Sequence, residues 1–122
     1  MAKHKIDTQL VIAALGSTVA LRVSKANELT VGQLRILCGV VALRSSALRV
    51  SAALVSRSCG WSDQAGRMLV REVMRKGLLV RIVMGTGWRA RTTLELTSEG
   101  YDVVQQYKRA ERDAVKRFLC AV

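Results

Sequence analysis

Followed by its apolar positions, the chain keeps a helical period through four segments before it changes. Residues 10–23 (LVIAALGSTVALRV) are apolar on several sides. Ile6, Leu10, Ala14 and Leu21 form a partial face, which Val11, Leu15 and Val19 widen. A helix apolar on more than one side is covered by more than one neighbour, so this segment reads as a buried helix. It starts on a cap at Asp7 or Thr8 and ends near Val23. Residues 24–29 (SKANEL) are a polar break. Thr30 caps a second helix from Val31 to about Leu43, with Leu34, Leu37, Cys38 and Val41 at helical spacing. Residues 44–49 read as a loop. Ser51 caps a short third helix through about Ser58, with Ala52, Val55 and Cys59 inward, and Gly60 and Trp61 turn the chain. Ser62 then caps a fourth helix, with Asp63 in its first turn where a negative charge suits the helix dipole. That helix runs to about Lys76 and stops at Gly77, and its inward stripe is Gly66, Leu69, Val70 and Val73.

After Gly77 the period becomes two. Leu78, Val80, Ile82 and Met84 alternate with Leu79, Arg81 and Val83. Beyond residues 85–90 (GTGWRA), Thr92, Leu94 and Leu96 alternate with Arg91, Thr93 and Glu95. Two alternating runs around a Gly-containing turn predict a β-hairpin. Thr97 or Ser98 caps a last helix from Glu99 to about Leu119, with a seam of Val103, Tyr107, Ala110, Ala114 and Phe118. The expected fold is therefore mainly α with a small β-hairpin wing: a winged helix–turn–helix. Residues 1–122 form a single domain, because 122 residues suit one core. Within it, residues 30–97 are the winged helix–turn–helix, and residues 1–29 and 98–122 are terminal helices with apolar surface to spare. Those helices pair across a two-fold axis in a homodimer, or they close the monomer's own core.

Charge adds a partner to this picture. The chain carries 20 Lys and Arg against 9 Asp and Glu, a net +11, while half of it is hydrophobic. Such an apolar chain is not a disordered basic tail, so the charge lies on a folded surface and calls for a polyanionic partner. Residues 31–97 hold +8 of the total, and residues 31–60 contain no acid. Fourteen of the basic residues are Arg, whose planar fork suits phosphate and the guanine edge. The apolar run at residues 10–23 is too short and too interrupted to span a membrane. Although Lys3 and Lys5 precede it, a buried helix is expected there rather than a signal peptide. Three cysteines, Cys38, Cys59 and Cys120, offer no CxxC pair. They read as small hydrophobes in a reducing cytoplasm, and a redox role for Cys59 would require a depressed pKa. With one histidine, His4, and no phosphate-binding loop, neither an enzyme, a metal site nor a cofactor is expected.

The stretch at residues 55–62 (VSRSCGWS) has helix–turn–helix spacing: Val55 and Cys59 face the core, Ser56 is the small residue at the helix crossing, and Gly60 turns. Joined to residues 68–79 (MLVREVMRKGLL) and 94–100 (LELTSEG), it resembles the winged-helix transcription regulators of the MarR type. That family ends its recognition helix with a leucine, a basic residue, glycine and two apolar residues. Arg75, Lys76, Gly77, Leu78 and Leu79 keep most of this, with Val73 in the leucine's place. The family's Leu-Thr-x-x-Gly signature after the wing is matched by Leu96, Thr97 and Gly100. The resemblance covers about residues 30–100. Where the family's wing usually carries Asp before an Arg, Trp88 precedes Arg89, and the terminal helical segments are shorter than the family's. Compact winged-helix regulators of plasmids and phages, including centromere-binding adaptors, fit the same residues.

In a helix–turn–helix the second helix enters the major groove with its N-terminal residues against base edges. The outward set is Asp63, Gln64, Ala65, Arg67, Met68 and Arg71. Gln64 is matched to adenine and Arg67 to guanine, each at about 1–3 kcal/mol of discrimination, and Met68 or Ala65 to a thymine methyl. Asp63 is either a base contact or only a helix-end charge. Arg71 and Arg75 are placed to reach phosphates, as are the N–H groups behind the caps Ser51 and Ser62. The resemblance implies that Arg89, beside Arg91 at the wing tip, enters the minor groove. Trp88 reads first as packing on the wing base and second as lying on the sugar–phosphate backbone; Trp61 reads as a core plug. The leading expectation is a dimeric, sequence-specific double-stranded-DNA-binding repressor that is cytoplasmic and nucleoid-associated, with any small-molecule effector left open. The alternative is a plasmid or phage partition or architectural adaptor that coats repeated sites. A third reading is a protein- or RNA-binding module.

Overall fold

Asp7 starts the first helix, its Oδ1 accepting from the N–H groups of Gln9 (3.0 Å) and Leu10 (3.2 Å). The structure, a computed structural model, describes residues 7–46 and 49–121. His4, Ile6 and part of the loop expected at residues 44–49 lie outside them. The elements are α1 (Thr8–Ala26), α2 (Val31–Ser46), α3 (Ala52–Ser58), α4 (Asp63–Arg75), β1 (Leu79–Met84), a 3-10 turn (Gly87–Arg89), β2 (Arg91–Leu96) and α5 (Ser98–Ala121). This is the expected order, mainly helical with one antiparallel hairpin.

Boundaries moved where tertiary contacts override local polarity. α1 continues past Val23 through residues expected as a break, and Ser24 is fully buried. α2 likewise continues to Ser46 through part of the expected loop, where Arg44 Nε reaches Glu95 Oε2 at 3.0 Å. Thr30 and Gln33 cap α2 reciprocally: Gln33 N–H donates to Thr30 Oγ1, and Thr30 N–H donates to Gln33 Oε1, each at 3.1 Å. Gln33 Nε2 also donates to Glu72 Oε2 at 2.9 Å, which ties the start of α2 to α4.

The core gathers Val19 and Val23 of α1, Leu34, Ile36, Leu37 and Val40 of α2, Val55 of α3, and Val70 and Val73 of α4, with Leu79, Leu94, Leu96, Val103 and Val104. Helical spacing alone did not select Ile36, Val40 or Val104. In α1, Val11 and Val19 of the set expected to widen the face are buried and Leu15 is half-buried, while Leu10, Ala14 and Leu21 are exposed. In α5, Val103 is buried, Tyr107, Ala110 and Ala114 pack partly against the core, and Phe118 is exposed. Among the described residues, no single helix is long and apolar enough to cross a membrane.

The hairpin pairs Leu79 with Leu96 and Met84 with Arg91. Residues 49 and 50 lie along β2: Leu94 N–H donates to Val50 O (2.8 Å), and Val50 N–H to Thr93 Oγ1 (2.7 Å). The wing is thereby fastened to the entry of α3.

Candidate nucleic-acid interface

Two short helices meet here because small residues let them approach. A Cβ built on Gly66 would lie 1.7 Å from Ser56 Oγ and 3.0 Å from Ser56 Cα. Only glycine fits, and the Ser56 hydroxyl is satisfied by Ala52 O at 2.6 Å. Gly60 takes φ +80 in the turn, and Trp61 N–H donates to Ser56 O at 2.9 Å. Ser51 and Ser62 are the expected caps, accepting from Leu54 N–H (3.1 Å) and Ala65 N–H (3.2 Å). Trp61 is half-buried and packs against the core near Gly32, as a core plug does.

With Gly66, Val70 and Val73 buried, α4 turns its other side to solvent. Ser62, Asp63, Gln64, Arg67, Met68, Arg71 and Arg75 are exposed, and Ala65 is half-buried among them. Gln64, Arg67 or Met68, Arg71 and Arg75 follow helical spacing along one face. Two open clefts flank this helix. One, of about 570 Å³, is lined by Arg49, Ser51, Arg67, Arg81 and Thr92 among others. The other, of about 370 Å³, is lined by Arg67, Arg71, Met74, Arg75 and Arg81.

Arg81 and Arg49 belong to this surface and were missed as site residues. A signal for Arg81 was present: two residues beyond Leu79 in a strand, it shares the core-facing side of the hairpin and emerges beside α4. Arg49 had no such signal. Its Nε donates to Thr92 O at 2.9 Å, a contact between residues far apart in the chain.

The hairpin tip is built on Gly85 (φ +84) and Gly87 (φ +61). Trp88 does not pack on the wing base, which was the first expectation for it; it is 83% exposed. β1 is exposed beyond Leu79, so the hairpin carries its tip, and the indole with it, away from the core. The Arg89 guanidinium lies 4.9 Å from the centroid of the Trp88 ring. Arg91 folds back, with Nη1 donating to Ala90 O (3.1 Å) and Trp88 O (3.4 Å).

These elements form one array: capped helix, tight turn, basic helix, basic hairpin. The same arrangement is found in known structures. The fold is that of the MarR-type winged-helix regulators. The S. aureus MepR–DNA complex matches with a TM-score of 0.71 at 18% identity, over 90% of this chain and 78% of that one. RV1404 from Mycobacterium tuberculosis matches at 0.69 and 20% identity, over 100% of this chain and 86% of that one. The transcriptional regulator Tm0710 from Thermotoga maritima matches at 0.69 and 17% identity, over 90% and 74%. No protein-family model and no curated protein sequence matches the chain.

The residues that carry the resemblance have physical roles here. Thr97 Oγ1 donates to Gly77 O (2.7 Å) and accepts from Gly100 N–H (3.1 Å), so one hydroxyl ties the end of α4 to the start of α5. A Cβ on Gly100 would meet Leu78 O at 2.1 Å. Lys76 Nζ donates to Gln33 Oε1 at 3.1 Å, so this basic residue braces α4 against α2.

The cysteines stand apart from this surface. Burial pushes the Cys59 thiol up, against a lowering by Arg35, which is the reverse of what a redox-sensing thiol needs. Burial likewise raises Cys38 to about 11. Cys38 lines an apolar cleft of about 550 Å³ among α1, α2 and α5, beside Tyr107, whose phenol burial and Glu111 raise to about 12. Among the described residues no group of three His, Cys, Asp or Glu could hold a metal.

Proposed function

We propose that this protein is a sequence-specific double-stranded-DNA-binding transcriptional regulator that acts as a dimeric repressor. The observation that carries the reading is the exposed set of Gln64, Arg67, Met68 and Arg71 on α4, which shares a cleft with Arg81 of the hairpin, whose tip exposes Arg89 and Arg91. An α-helix fits the major groove, and a hairpin displaced to one side of it reaches the adjacent minor groove. Gln64 and Arg67, on the first two turns of α4, read adenine and guanine edges. Met68 or Ala65 meets a thymine methyl. Arg71, Arg75, Arg81 and Arg49 neutralise phosphates, which position the protein without carrying sequence information. The N–H groups behind Ser51 and Ser62 add to this phosphate grip.

The dimer rests on α1 and α5, whose exposed Leu10, Leu21, Phe118 and Leu119 are apolar side chains that the monomer leaves in water. A two-fold axis through them presents two copies of α4 to half-sites about one helical turn apart. Occupancy of such a pseudo-palindrome occludes polymerase. The fold shared with the MepR–DNA complex supports the DNA partner.

The deciding experiment is selection of bound fragments from random duplex DNA, with footprint length as the readout. One palindrome of two half-sites is the expected result. Long cooperative footprints over tandem repeats would replace the repressor with a coating adaptor. A preference for structured RNA over any duplex DNA would overturn the reading.

A further inference from the structure

The most exposed large apolar side chain in the described structure is at the hairpin tip. Trp88 is 83% exposed, and it contributes nothing to the core. Its ring is sandwiched on one side only: the Arg89 guanidinium stacks over it at 4.9 Å. The flanking Gly85 and Gly87 have no side chains and take positive φ, so the tip is narrow where the backbone turns. Behind the tip, β1 carries exposed Val80, Ile82 and Met84. No acidic residue occurs between Glu72 and Glu95, whereas Arg75, Lys76, Arg81, Arg89 and Arg91 do.

We propose that Trp88 is a wedge: it enters the minor groove beside the half-site and partly unstacks one base step, with Arg89 travelling on its back face as the cation that draws the tip in. This rests on the DNA-binding reading above and adds a DNA kink to it. The charge of the hairpin selects a polyanion, and the apolar ring selects one with an apolar interior to enter. A duplex offers both, because its minor groove, about 6 Å wide, concentrates negative potential over stacked bases. Apolar side chains inserted between base steps kink the duplex toward the major groove by about 20–90°. The step opened is expected to be pyrimidine–purine, TA or CA, since these unstack most easily. Specificity would then extend to a position where no hydrogen bond is made to a base.

The test uses the full chain and the duplex obtained by selection. End-labelled duplex reports bending by energy transfer, 2-aminopurine at the outer TA or CA step reports unstacking, and titrations at several salt concentrations report affinity. Trp88 is so exposed that W88A is expected to fold as wild type, and matched circular dichroism checks it. Wild type should bend the duplex and brighten the 2-aminopurine. W88A should bind it roughly five- to a hundredfold more weakly, leave it nearly straight, and keep the same salt slope. W88F should recover part of the bend, and R89A should lower the salt slope by about one. Base-selective binding with a bend that W88A leaves unchanged overturns the wedge alone. Loss of affinity in W88A with straight DNA in wild type also overturns it, and places the indole on the backbone instead. Absence of duplex binding by wild type overturns the DNA-binding reading and the wedge with it.

Discussion

Individual residues in this protein are constrained by what lies 2–3 Å away. Gly66 and Gly100 are the tightest cases, each facing an atom that a methyl group would overlap. Gly66→Ala must part α3 from α4, and Gly100→Ala must push α5 off Leu78 O. Each is expected to lower stability by about 1–3 kcal/mol in urea titrations, the usual cost of overpacking. A Gly66→Ala variant as stable as wild type would mean that the two helices are further apart than described. Ser24 is the opposite case. Its hydroxyl is buried with no hydrogen-bond partner among the described residues. Such a group costs about 1–3 kcal/mol to bury, so Ser24→Ala should raise the melting temperature or leave it unchanged; a lowered one would reveal a partner for the hydroxyl. The cysteines divide by burial. At about pH 8 a thiol reagent should modify exposed Cys120 quickly and half-buried Cys38 more slowly, because burial raises the Cys38 pKa to about 11.

At the scale of elements, α4 and the hairpin are held as a unit by contacts to α2. Gln33 and Lys76 brace α4, while Glu95 braces the hairpin by accepting from Arg44 Nε (3.0 Å) and Tyr101 Oη (2.6 Å). Burial raises the Glu95 carboxyl, but Tyr101, Leu96 N–H and Arg44 together outweigh it and hold the pKa below the ordinary 4.5. A carboxylate lowered on folding stabilises the folded state above its unfolded pKa, and that contribution is lost as pH falls through the folded value. The carboxylate is partly exposed, so Glu95→Gln is expected to cost only about 1 kcal/mol at neutral pH. The gap should close as the pH falls below 4.5; a gap that persists into acid would assign Glu95 a role independent of its charge. The proposed base-reading and phosphate-holding residues of α4 and β1 are expected to separate by salt dependence. Arg67→Ala should relax base preference, whereas Arg75→Ala and Arg81→Ala should weaken all duplexes alike and each lower the salt slope by about one. Equal losses on every sequence for all three would dissolve the division between base-reading and phosphate-holding residues.

The whole molecule presents two surfaces of opposite kind. One is the basic array of α4 and the hairpin. The other lies on α1 and α5, where apolar side chains stand in water among charged ones, with Leu10 67% and Leu119 45% exposed. Burying such side chains in a partner contributes about 25 cal/mol per Å² of apolar area removed from water. Sedimentation is therefore expected to show twice 13.4 kDa. The paired change Leu21→Glu and Phe118→Glu should return a folded monomer that binds duplex DNA far more weakly, having lost one of two recognition helices. A wild-type monomer with full affinity would refute the two-fold arrangement.

The order of elements, every helix cap in the helix–turn–helix, the hairpin and the outward set on α4 can be read from the amino acids alone. These follow from local physics. Ser51, Ser62, Gly60 and Gly77 act within a few residues of themselves, and periodicity shows which side of α4 is apolar. Tertiary structure decided which of several apolar faces is inside, because α1 has candidates on more than one side and only packing selects Val11 and Val19 over Leu10 and Leu21. It also carried α1 and α2 through polar residues that local preference would have released, by packing Val23 and Leu29 into the core on either side of the break and giving Arg44 a partner in Glu95. Arg49 and Arg81 joined the basic surface through contacts and clefts shared with residues distant in the chain. Trp88 shows the same division. Its place in a turn was legible in the flanking glycines, but whether the indole folded in or stood out depended on how far the tip extends beyond the core.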